Sequence, residues 1–106
     1  MVLEWEPSNP IRSELVWSPD SSRLAFTAGD GLRVIEVSSG KTLVTVDGYG
    51  AAWSPDGSKI AYTLYEGDDV RGIYTVAADG SESARRLTEG SSPTWSPDGS
   101  MIAFSH

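Results

Sequence analysis

The residues able to do covalent chemistry are few and badly spaced. Nucleophilic catalysis needs a base beside the nucleophile, and the sole histidine is His106, the last residue of the sequence. There is no Gly-x-Ser-x-Gly elbow to present an activated serine. With no cysteine, thiolate nucleophiles, thiolate metal sites and disulfides are excluded. Glycoside hydrolysis needs two carboxyl groups facing each other across a cleft. Fifteen acidic residues make chance pairs so common that no such pair is readable. The sequence therefore predicts no catalytic residue and no cofactor.

Metal ligation has one candidate stretch, Glu66-Gly67-Asp68-Asp69. It lacks the alternating Asp-x-Asp-x-Asp-Gly spacing of a calcium loop, so it reads as a solvated acidic loop, and no metal site is predicted. Gly29-Asp30-Gly31 and Gly48-Tyr49-Gly50 do not precede a helix, which a phosphate-binding loop requires. Groups suited to recognising another protein are denser. Exposed aromatics are frequent interface anchors, and loops on a rigid scaffold commonly carry function. On that reasoning the predicted contact residues are Tyr49, Tyr65, Glu66, Asp68, Asp69 and Arg71. Tyr74 sits in an apolar run and reads as packed between sheets.

Charge narrows the partners. Eight basic against fifteen acidic residues give a net charge of −7. A nonspecific nucleic-acid surface is basic, and so is a surface that docks on anionic lipid; neither partner is expected. Residues 1–10 carry no basic side chain and no apolar run of seven, unlike a secretory signal. No stretch approaches twenty apolar residues.

These candidates are positioned by a repeat. Trp17-Ser18-Pro19-Asp20-Ser21-Ser22 recurs as Trp53-Ser54-Pro55-Asp56-Gly57-Ser58 and as Trp95-Ser96-Pro97-Asp98-Gly99-Ser100. The tryptophans are 36 and 42 residues apart. Periods of this size mark a solenoid or a propeller. Proline presets φ for a tight turn, and aspartate and glycine complete it. Each copy therefore reads as strand, turn, strand. The aspartates read as parts of structural turns; the alternative is that Asp20, Asp56 and Asp98 each hold a cation in their separate units. Burying one tryptophan removes about 150–250 Å² from water, worth roughly 4–6 kcal/mol before entropy. Three equivalent indoles thus predict three equivalent packing sites between stacked sheets.

Taken in order, residues 1–13 hold a lone strand, Val2 to Trp5, and a linker. Residues 14–47 form a first four-stranded unit, with strands at Leu15 to Trp17, Arg23 to Ala28, Leu32 to Val37 and Thr42 to Val46. Residues 48–90 form a second, with Ala51 to Trp53, Lys59 to Tyr65, Ile73 to Ala77 and Ala84 to Thr88, and a loop over Glu66 to Gly72. Residues 91–106 hold half of a third, in which His106 aligns with Leu64. No helical period of useful length occurs.

Pro93-Thr94-Trp95-Ser96-Pro97-Asp98-Gly99 with Ile102-Ala103-Phe104, Ile73-Tyr74 followed by Gly80, and Arg86-Leu87-Thr88 together resemble the TolB-type repeat, related to WD40-like PD40 blades. The resemblance spans nearly everything from Leu15 to His106. It implies an all-β fold of four-stranded antiparallel β-propeller blades around a central channel. Propellers of this family have six or more blades, whereas this chain has about two and a half. The ring is therefore incomplete in one chain, either as part of a longer protein or as one half of a homodimer closing six blades. The implied function is non-catalytic protein binding or scaffolding, with a protein partner or the chain itself, in a periplasmic or extracellular setting. The same blades cap prolyl-oligopeptidase-like serine peptidases, so a propeller segment lacking its catalytic domain is an alternative. Another is an engineered or shortened fragment that only self-assembles.

Overall fold

The computed structural model describes residues 14–28 and 31–106; the Val2 to Trp5 strand lies outside them. Ten strands and no helix occur among the described residues. The first sheet comprises β1 (Glu14–Trp17), β2 (Arg23–Ala28), β3 (Gly31–Glu36) and β4 (Thr42–Val46). The second comprises β5 (Tyr49–Trp53), β6 (Lys59–Gly67), β7 (Val70–Ala77) and β8 (Arg85–Glu89). Strands β9 (Ser91–Trp95) and β10 (Ile102–Ser105) form a two-stranded pair. Each four-stranded sheet is an antiparallel meander in chain order.

The strands follow from side chains that fit a pleated, half-buried surface: Val, Ile, Leu, Thr and aromatics. Alternation then sorts them by face. Leu32 and Val34 join Ala25 and Val44 on the face of the first sheet that meets the second. Ile60, Tyr62, Val76 and Ala78 face them from the second sheet. Tyr62 is the largest fully buried side chain among them. It stacks on Tyr74 with ring centroids 5.8 Å apart, and burial raises its phenol to about 12. Leu24, Phe26 and Ile35 are buried with Val37 on the opposite face of the first sheet.

The Ser-Pro-Asp turns are built alike. In the second, the Ser54 hydroxyl donates to Asp56 Oδ1 at 2.7 Å and accepts from the Lys59 amide at 3.0 Å. Ser58 donates to the same Oδ1 through its amide and its hydroxyl. The first turn repeats these bonds around Asp20, and the third repeats them around Asp98. A carboxylate that accepts several hydrogen bonds is favoured in its charged form. Donors from Ser22, Ser58 and Ser100 accordingly hold Asp20, Asp56 and Asp98 at about 2, below the ordinary 3.8. Consecutive turns stack: a Cβ added at Gly57 would lie 3.6 Å from Pro19 Cδ, and one at Gly99 3.5 Å from Pro55 Cδ.

The tryptophans do not occupy three equivalent buried sites. Trp53 and Trp95 are partly buried, each donating its indole N–H to the neighbouring sheet. Trp53 Nε1 bonds the Val16 carbonyl at 3.1 Å, and Trp95 Nε1 bonds the Ala52 carbonyl at 2.9 Å. The acceptor is in both cases the residue just before the preceding tryptophan. Trp17 lies on the outer face of the first sheet and is 47% exposed. Its Nε1 has no partner among the described residues. The indole thus bridges sheets, and its burial depends on having a sheet to bridge to.

The predicted loop over Glu66 to Gly72 is instead a longer hairpin. Strands β6 and β7 continue pairing through Tyr65↔Arg71 to Gly67↔Val70, leaving Asp68 and Asp69 as the turn. Both have positive φ, 50° and 61°, the pattern of a two-residue turn that matches strand twist. Aspartate tolerates this left-handed region better than most residues.

Candidate binding site

The β4–β5, β6–β7 and β8–β9 connections emerge at one end of the second sheet. The Gly90 amide bonds the Arg71 carbonyl at 2.8 Å, tying two of them together. Three predicted residues converge at this rim. Arg71 Nε donates to the Tyr49 hydroxyl at 3.0 Å. The Arg71 guanidinium lies 5.7 Å from the centroid of the Tyr65 ring, within cation–π range. Tyr65 and Arg71 are directly opposed across β6 and β7, so the ladder fixes their pairing. Cross-strand neighbours of this kind sit close enough to interact. Tyr65 is 53% exposed, and the Asp68-Asp69 turn projects beside it, also exposed.

Glu66 is placed differently. Its carboxylate accepts the Tyr74 hydroxyl at 2.6 Å and two bonds from Arg86, at 2.9 and 3.0 Å. It lies over Gly72, where a Cβ would come within 2.8 Å of Oε2. A bidentate guanidinium–carboxylate pair is geometrically specific. The Arg86 and Tyr74 bonds hold the Glu66 carboxyl at about 2, below 4.5. Glu66 thus locks the sheet rather than joining the Tyr49–Arg71–Tyr65 group. Arg86 is the residue that sequence reasoning missed in this role; the only available signal was its place in the Arg-Leu-Thr run.

Elsewhere the chemistry is sparse. His106 Nε2 lies 3.0 Å from Glu89 Oε2, with both side chains exposed. No group of three or more His, Asp or Glu is placed to hold a metal ion among the described residues. A groove of about 250 Å³ between the second sheet and the β9–β10 pair is lined by Lys59, Thr75, Arg85, Leu87, Trp95 and Ile102. Those side chains do not make a catalytic set.

The meanders, the stacked turns and the sheet-to-sheet indole bonds can be set beside solved structures. A protein from Agrobacterium tumefaciens assigned as TolB superposes with a TM-score of 0.73 over 93% of this chain, at 26% identity. These are β-propeller blades. The chain forms an incomplete propeller, with sheets of four, four and two strands among the described residues. A chain in the structure of a Mitotic Checkpoint Complex also shares the fold, with a TM-score of 0.55 over 86% of this chain at 20% identity. The propeller segment spans 40% of the first neighbour's length and 32% of the second's. No protein-family model and no curated protein matches it.

Proposed function

We propose that this chain is a non-catalytic protein-binding module whose contact surface is the rim around Tyr65 and Arg71. The observation that carries the reading is the guanidinium held between Tyr49 and Tyr65. One of its five N–H donors is spent on Tyr49; the others have no partner among the described residues. A half-exposed tyrosine beside a positioned arginine is the usual make-up of an interface anchor. The hairpin that carries them is paired almost to its tip, so little order has to be gained on binding. A partner segment presenting a carboxylate to Arg71 and an apolar side chain to Tyr65 fits this surface. The TolB-type neighbour and the occurrence of the fold in a mitotic checkpoint complex accord with a protein-binding role.

Selection from a random-peptide display library tests it. The wild-type chain is expected to enrich peptides bearing an acidic residue. Tyr65→Ala or Arg71→Ala should weaken the selected peptides about thirtyfold, the effect of losing a contact worth about 2 kcal/mol. Both side chains are exposed, so the variants should keep the fold. Enrichment of the same peptides by a Tyr65→Ala, Arg71→Ala double variant, or of none by the wild type, would remove this reading.

A further inference from the structure

We propose that two copies of this chain associate head to tail, with β1 of each copy seated on the outer face of the other's β9–β10 pair. The chain contains this contact twice already. Between the first and second sheets, the Trp53 indole reaches the Val16 carbonyl; between the second sheet and β9–β10, the Trp95 indole reaches the Ala52 carbonyl. The strand paired with the acceptor strand places an alanine opposite the acceptor: Ala25 opposite Val16 and Ala61 opposite Ala52. Ala25 and Ala61, each two residues after an Arg23 or Lys59 that closes its turn, are both 0% exposed.

Among the described residues, both halves of a third such contact are displayed and unfilled. At one end, Leu15 and Trp17 are opposed to Phe26 and Leu24 on the outer face of the first sheet. They are 46% and 47% exposed, and the Trp17 indole N–H lacks a partner among the described residues. At the other end, Thr94 stands where Val16 and Ala52 stand, just before the tryptophan. Ala103 stands where Ala25 and Ala61 stand, yet it and Thr94 are exposed. Among the described residues β10 pairs on one side only, while β2 and β6 pair on both.

A donor face and its matching acceptor face on one molecule make a heterologous contact. Two such contacts, one in each direction, close a pair of copies. Trp17 of one copy donates to the carbonyl of the partner's Thr94, as Trp53 and Trp95 do within the chain. The contact uses none of the rim residues, so its failure would leave the Tyr65–Arg71 reading standing, and the reverse holds too.

Light scattering across a concentration series tests this. The chain is expected at twice its 11.3 kDa mass at tens of micromolar. Trp17→Phe keeps an aromatic ring, smaller than the indole, and removes the N–H. With two hydrogen bonds lost per pair, each worth about fivefold, it should weaken association roughly 25-fold. Ala103→Arg, at a position exposed in the single chain, should give one-copy mass with an unchanged circular dichroism spectrum. A wild-type chain that stays at 11.3 kDa, or grows past two copies without limit, overturns the proposal. So does a two-copy mass that neither substitution changes.

Discussion

Trp53→Ala is expected to remove about 3–5 kcal/mol, the usual cost of truncating a large packed aromatic. That is a large part of the roughly 5–15 kcal/mol available to a domain of this size. Trp53 packs against the cluster shared by the first two sheets. Its loss empties that seam and removes the indole bond to the Val16 carbonyl. The thermal midpoint should fall by about 12–40 °C, given about 4–8 °C per kcal/mol for small domains. Trp17→Ala, at the same place in the repeat, should cost only about 1 kcal/mol, because that indole is half exposed and bridges nothing among the described residues. Equal losses in the two variants would contradict the sheet-bridging role, since residue type and local motif are the same.

Gly48→Ala is expected to be comparably severe for a different reason. Gly48 has φ +134°, and an added Cβ would lie 2.6 Å from Tyr62 Cδ2 and 2.8 Å from the Thr63 carbonyl oxygen. Tyr62 is buried and cannot swing away. A strained backbone costs about 1–3 kcal/mol, and overpacking a core about 1–3 more; together about 4 kcal/mol is expected. Gly40→Ala is the control. Its φ is +73° with nothing within 4 Å of the added methyl, so only the left-handed penalty of about 1–2 kcal/mol remains. Urea titrations of the two variants should separate them by at least the width of the Gly40 effect.

How far these features were legible in the sequence depended on their range along the chain. The Ser-Pro-Asp turns are closed by partners two and five residues away, so composition alone located them. The strands at Arg23 to Ala28 and Thr42 to Val46 were bounded by local breakers and occur as read. Glu66 to Gly72 misled because glycine and two aspartates are breakers by composition. What overrides them is the β6–β7 ladder, which extends through Tyr65 and Arg71 and lets the aspartates take positive φ. The Glu66–Arg86 pair spans 20 residues, and the indole bonds span 37 and 43. No local signal encodes those; only the repeat period hinted that tryptophans would meet neighbouring units. Of the rim, sequence named Tyr49, Tyr65 and Arg71, but which of them touch follows from register.

The most direct test of the blade-to-blade register is hydrogen exchange at the indole Nε1–H groups, read by NMR in solution dilute enough to hold single chains. Trp53 and Trp95 should exchange slowly, protected by the Val16 and Ala52 carbonyls, and Trp17 should exchange fast. Fast exchange at Trp53 and Trp95, in a chain otherwise folded, would mean that the tryptophan-led sheets do not stack as described.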